Sequence, residues 1–507
     1  MTPTRIRALA TAAVAVFFLG LAGIAIDASF GGDAGRDLVS AGATQAVPGG
    51  TVSAEEAVAD GAGTAPSGSA VGGAGATPGG RATRSTGAVS GRTVPTGLAV
   101  PRIPSHHPGV TDTEVRIGIA VINDGAQVFD AFGIKGVAVA SPAEAEARTT
   151  AIFNWINAHG GVAGRKLVPR YFEYSYFTGT FAAQSQAVCT HFTEDDPVLA
   201  VLSLNAVRLI ADCLKQHDTM FLDAGNSEAY DAQALGELGA HYYRPFELNL
   251  SRLDQQIDGL ARVGFLTAKN KIGVLRWDLP QATRAMQQAV RPALATHALR
   301  LTDEYAYNYV GSLSDLSQTS AESSNAVLRF RTAGIDRVVF IGSQAVFPLF
   351  FGAEAESQGY KPDYGWSSLD VPSSMPGNMP AHQLLNSQGV GWNIGFDLNL
   401  GGGQPFEQNA QYKACAAALD AGGQAYPNDG FACDYYFLLQ AGLNRAKEVS
   451  PAGFRAALDG MASAFQPAQS HVLFRSGRYE GVDAVRNFAY DDGCSCFKYT
   501  SPLRPTP

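Results

Sequence analysis

Two periodicities alternate along this chain. Val115-Arg-Ile-Gly-Ile-Ala-Val121 is a β-branched apolar run between polar turns, the pattern of a buried strand. Further on, Ile152, Trp155 and Ile156 recur at the spacing that lays them on one helical face. That helix has a start signal. Ser141 is placed to cap it, Pro142 suits the first turn and Glu144 completes a capping box. Gly160-Gly161 ends it, and a strand is expected over 167–173. The alternation continues with helices over 181–192, 207–217, 253–263, 283–295, 323–333 and 347–358. Strands are expected between them over 199–202, 220–223, 272–275, 301–305 and 338–341. Strands separated by helices of this length predict βαβ units and parallel sheets, and so many strands predict two sheets. Residues 389–395 read as a later strand or crossover, 431–446 and 451–461 as helices, and 471–499 as a short β-rich end. The Met, Pro, Ser and Asn-rich stretch 371–388 reads as irregular.

The ends of the chain change the picture. Arg5 and Arg7 precede an apolar run from Ala8 to Ile26, which Asp27 breaks. A positive flank before an apolar stretch directs a chain to export, with the remainder outside the membrane. The run exceeds a usual leader core and approaches the length that spans a bilayer. Residues 1–30 are therefore read as a signal peptide or an N-terminal membrane anchor, the chain's only expected membrane contact. Residues 31–108 are Gly, Ala, Ser, Thr and Pro-rich and lack aromatics, so a flexible tether is expected there. His106-His107 at its edge read as solvated.

Composition narrows the function. The chain has 507 residues, a net charge of −9 and only 16% charged residues, with no basic patch. Nucleic acid is thereby excluded as a partner, because phosphate binding takes concentrated Lys and Arg. Six cysteines, an even number in an exported chain, read as disulfides: Cys189, Cys213, Cys415, Cys433, Cys494 and Cys496. Pairing in sequence order is simplest, though Cys494 or Cys496 reaching Cys415 or Cys433 stays open. Cys494-x-Cys496 lacks the spacing of a zinc site. No cofactor is called for.

Thr113-Glu-Val-Arg-Ile-Gly-Ile119, the run Ile152-Phe-Asn-Trp-Ile-Asn-Ala-His-Gly-Gly-Val-Ala-Gly-Arg-Lys-Leu167 and Tyr243-Arg-Pro-Phe246 together resemble the leucine/isoleucine/valine-binding branch of type I periplasmic solute-binding proteins of ABC transporters. Lys271–Leu275 and Gly334-Ile-Asp-Arg-Val-Val-Phe-Ile-Gly342 are similar to later strands of that branch, and Cys189 and Cys213 sit where it often carries a disulfide. The resemblance implies an α/β fold of two doubly wound parallel-sheet lobes joined by a multi-strand hinge. Lobe 1 would take 109–245 plus about 389–465, and lobe 2 would take 246–388 plus about 466–500. It implies a small polar solute, such as an amino acid or amide, captured between the lobes and passed to an ABC-type permease. One departure is Asn123-Asp124-Gly125, where the family usually carries a Thr-Gly-Pro type loop.

Ligands in doubly wound sheets bind beyond the carboxyl ends of strands. The strand map puts Asn123, Ser203, Asn205, Ala224, Gly225 and Asn226 at such ends in the first lobe, and Asp278, Ser343, Gln344 and Asp370 in the second. By resemblance, the first-lobe groups would hold a carboxylate and a second-lobe acid, Asp370, an ammonium. Each has a plainer role: Ser203, Ser343 and Asp278 as helix caps, Asn226 as a turn residue, Trp277 as packing. The chain has no Gly-x-Ser-x-Gly, His-Glu-x-x-His or P-loop motif, so catalysis is not expected. A membrane-tethered sensor with the same fold, or an exported enzyme, are the rival readings.

Overall fold

The computed structural model describes residues 102–131, 140–175, 177–203, 208–225, 228–308, 316–343, 346–398, 409–425 and 431–507. The expected leader and all but the end of the expected tether lie outside these residues.

The buried run at 115–121 becomes β1 (Glu114–Ile122). With β2 (Lys166–Tyr174), β3 (Ala200–Ser203), β4 (Met220–Asp223) and β5 (Tyr242–Tyr243) it forms a parallel sheet in the order β2-β1-β3-β4-β5. A second sheet contains β6 (Ile272–Trp277), β7 (Leu301–Tyr307), β8 (Arg337–Ile341), β9 (Asp363–Ser367) and β10 (Gln388–Gly391), all parallel. β11 (Ala484–Asp491) and β12 (Cys496–Tyr499) extend it antiparallel, and β13 (Arg504–Pro505) pairs with β11. The order is β12-β11-β10-β9-β8-β6-β7.

The periodicities explain the layers. Val115, Ile117, Ile119 and Val121 point to one face of the first sheet and pack against Ile152, Phe153 and Ile156 of the helix Pro142–Ala158. Ala120, Val201 and Phe221 point to the other, against Phe192 and Leu214. The second sheet repeats the arrangement: Val274, Val339 and Ile341 serve one core, Leu275, Val338 and Phe340 the other. Each sheet is thus buried on both faces, as parallel sheets are. The capping box forms as expected, with Glu144 N–H donating to Ser141 Oγ and Ser141 N–H donating to Glu144. At the other end Gly161 sits at φ +68°, and a Cβ there would lie 2.2 Å from the Arg165 carbonyl oxygen. Only glycine fits that turn.

Several expectations shift. The helix expected over 283–295 starts earlier, at Pro280–Ala285, because Pro280 takes the first-turn position, and it passes through a π-helical turn at Met286–Val290 into Arg291–Thr296. The stretch 371–388 holds a short helix, Ala381–Leu384. β10 is hydrogen-bonded within the second sheet, and Ile394 and Leu398 still pack in that lobe's core, so the return to the first lobe comes after Leu398 rather than at 389. Phe465, Val472 and Phe474 pack in the first lobe's core and Val482 in the second's, so the last crossing falls between Phe474 and Val482 rather than near 466. Folded structure also begins before 109. Arg165 Nη1 donates to the Ile103 carbonyl at 2.6 Å, and Val449 N–H to the Pro104 carbonyl at 2.8 Å. His107 is buried rather than solvated. Its Nδ1 accepts from Gly109 N–H at 3.0 Å, which leaves Nε2 to donate to the Asp218 carbonyl at 2.8 Å.

The cysteines pair in sequence order, as Cys189–Cys213, Cys415–Cys433 and Cys494–Cys496. Among the described residues no helix is long and apolar enough to cross a membrane.

Candidate functional site

The carboxyl ends of the two sheets meet beside the lobe crossings. The loop after β4 carries Glu228 and Asp231; the helix Pro280–Ala285 after β6 carries Gln281 and Arg284. Gln281 Nε2 donates to Glu228 Oε1 at 2.6 Å, and Arg284 donates to both Asp231 oxygens at 2.5 and 2.9 Å. Leu250 N–H also donates to the Tyr230 carbonyl at 2.8 Å. These bonds join the first lobe to the second at their strand-end loops. Burial raises the Glu228 carboxyl above the usual range, against the pull of its donors.

The crossings themselves are tied by a polar network. Arg244, just past β5, is buried between two acids. Its Nε lies 3.8 Å from Asp223 Oδ2, and none of its three guanidinium nitrogens has a hydrogen-bond partner among the described residues. Burial opposes its charge, but Asp223, Tyr242 and Glu247 outweigh burial and keep it cationic. Glu247 accepts from Trp392 Nε1 at 2.7 Å and from Asn393 Nδ2 at 2.5 Å, which joins the first crossing to the segment after β10. Burial pushes its carboxyl up to about 7, although Arg244, Trp392 and Asn393 pull it down. Asn249 donates to Glu480 at 2.6 Å and Gly481 N–H to the Pro245 carbonyl at 2.8 Å, which joins the first crossing to the third. A cavity of ≈ 10 Å³ beside Arg244, lined by Tyr230, Tyr242 and Asn249, has room for about one water molecule. That volume is too small for an organic solute.

The residues expected to touch a ligand fare differently. Ser203 is buried at the end of β3, and its carbonyl accepts from Ala224 N–H at 3.1 Å. Gly225 N–H donates to Asp223 Oδ1 at 3.1 Å. The backbone donors of Ala224 and Gly225 are thus held internally and are not offered to an anion. Asp370 is a larger departure. It is 0% exposed and accepts from the N–H and hydroxyl of Ser343 and of Ser367, each at 2.8 Å. Burial raises its carboxyl despite those four donors. This carboxylate locks the ends of β8 and β9 together and presents no face to an ammonium. Ser343 is at the strand end as expected, positioned by Asp370. Asn123 is exposed, with its N–H on the Tyr174 carbonyl, and its neighbour Asp124 is the buried member of that loop. Asp278 is exposed and 3.8 Å from Arg276. Asn205, Asn226 and Gln344 lie outside the described residues. Trp277 packs at 3.7 Å, centroid to centroid, on Phe347.

Sequence reasoning missed Asp223, Glu228, Arg244, Glu247 and Gln281. Tyr243-Arg-Pro-Phe246 was legible as a crossing, but nothing local marks Glu247 as buried or Gln281 as an interlobe contact.

Comparison with known proteins bears on the architecture. No family model and no curated protein matches the chain. Solved structures do match. An ABC transporter substrate-binding protein from Aeropyrum pernix has a TM-score of 0.56 at 14% identity, over 78% of this chain and 97% of that one. This is the type I periplasmic-binding fold. The same fold is shared with an ABC transporter solute-binding protein from R. palustris in complex with 4-hydroxybenzoate, with a TM-score of 0.55 at 13% identity, over 77% and 97% of the two chains. It is shared too with a branched-chain amino acid transporter substrate-binding protein from Streptococcus pneumoniae in complex with isoleucine, with a TM-score of 0.52 at 13% identity, over 78% and 99%.

Proposed function

We propose that this protein is an extracytoplasmic solute-binding protein, and not an enzyme. It captures a small polar solute, such as an amino acid or amide, between its lobes and delivers it to an ABC-type permease. The observation that carries this reading is the junction of the lobes at their strand-end loops through Glu228–Gln281 and Asp231–Arg284. Strand ends are where such sheets bind ligands, and a solute touching both lobes favours their closed arrangement. Ser203 and Asn123 from the first lobe, with Ser343 and Asp278 from the second, are the proposed contacts, together with Asn205, Asn226 and Gln344. Neighbours of the same fold hold isoleucine and 4-hydroxybenzoate, which supports a small organic solute. Three disulfides fit a chain that works outside the cytoplasm, delivered or tethered there by residues 1–30.

The test is a thermal-shift screen of amino acids, amides and small aromatic acids, followed by calorimetry. A true solute at a hundred times its Kd raises Tm by roughly 3–8 °C. Failure of every class to shift Tm would sink the reading.

A further inference from the structure

The three disulfides are not alike. Cys189–Cys213 and Cys415–Cys433 each tie one helix to another, across 24 and 18 residues. Cys189, Cys415 and Cys433 are buried. Cys494–Cys496 spans a single residue. It lies in the turn of the β11–β12 hairpin, where Asp491 already pairs with Cys496 in the ladder. Closing so short a loop removes little freedom from the unfolded chain, so this bond contributes the least to holding the fold. Ser495, between the two cysteines, is held at φ +51°, a left-handed conformation that serine seldom adopts. Cys494 is exposed, whereas Cys496 is 5% exposed. An attacking sulfur therefore has one open target. The rest of the hairpin stands without the bond: Phe488 and Phe497 are fully packed in the second lobe, and Lys498 pairs with Asp491 at 2.7 Å across the strands.

We propose that Cys494–Cys496 is a thiol–disulfide exchange site that accepts two electrons from an exported dithiol protein. A thiolate of the partner attacks the exposed Cys494 Sγ. The Sγ–Sγ bond breaks, and Cys496 departs as a thiolate that takes a proton from solvent. The partner's second thiolate then attacks its own sulfur in the mixed disulfide and releases Cys494 as the second thiolate, which is protonated in turn. The chain ends with two thiols and the partner with a disulfide, so atoms and electrons balance. Exposed disulfides under local strain are the ones that exchange, while buried ones between packed helices resist.

The full oxidised chain is equilibrated in dithiothreitol redox buffers of stepped ratio, quenched in acid, alkylated and mapped by mass spectrometry. Cys494 and Cys496 are expected to label at a reduced-to-oxidised ratio at least tenfold lower than the other four cysteines. Labelling of all six together, or of Cys494 and Cys496 last, overturns the proposal. A second measurement mixes the same chain with a thioredoxin-type probe lacking its resolving cysteine. A mixed disulfide at Cys494 supports the site; a mixed disulfide at another cysteine, or none, overturns it.

Discussion

Asp370 shows how burial reassigns a carboxylate. At the end of β9 with no solvent, its oxygens take two N–H groups and two hydroxyls from Ser343 and Ser367. Buried donors left without an acceptor keep their desolvation penalty, so Asp370→Ala is expected to cost about 2–4 kcal/mol in urea denaturation. Asn123→Ala, at an exposed strand-end position, is expected to stay within about 0.5 kcal/mol of the parent. The same pair separates positioning from contact. Asp370→Asn should lower stability and solute affinity together, because Ser343 loses its orientation, whereas Asn123→Ala should lower affinity alone; calorimetry against the identified solute reads both. That Asp370 is a lock was not legible in sequence. Ser343 stands 27 residues before Asp370, and only the pairing of β8 with β9 brings them together.

At the scale of elements, turns and caps were the most legible features, because their causes are local. Ser141, Pro142 and Glu144 write the start of one helix within four residues, and Gly160-Gly161 write its end. Gly161→Ala meets both a positive φ and the Arg165 carbonyl at 2.2 Å, so its urea midpoint is expected to fall by the equivalent of about 2 kcal/mol or more with an unchanged m-value. Elements without such signals were missed. β5 is two residues long, and β9 reads Asp-Tyr-Gly-Trp-Ser, with no β-branched residue to mark it. The helix Ala410–Ala421 is largely alanine and small polar residues, which carry little periodic contrast.

At the scale of the molecule, the lobes are coupled through ion pairs and buried acids. Arg284→Ala removes the Asp231 contact between lobes, and solute affinity is expected to fall several-fold because the closed arrangement loses a bond. Scattering should show a larger radius of gyration without solute. Protonation acts on the whole fold. Glu247, Asp397 and Asp434 are buried and pushed up to about 7 from ordinary values near 4. A folded state that holds these protons more tightly is favoured below the unfolded values, and that stability is lost as pH rises through about 7. Tm is therefore expected to increase from pH 7.5 to pH 5. His107 works the other way, because burial keeps its imidazole neutral and lowers its value. A Tm that falls steadily over that interval would contradict the dominance of the three acids.

By itself the sequence determined the alternation of strands and helices and the turns that reverse the chain. Each of these follows from residues a few positions apart, where backbone preference and burial periodicity act directly. Only the tertiary structure decided where the chain makes its second and third changes of lobe, that Asp370 is enclosed by two serines, and that Arg244 lies between Asp223 and Glu247. Those outcomes depend on which groups lose water together, and residues far apart in sequence meet only after the sheets have packed.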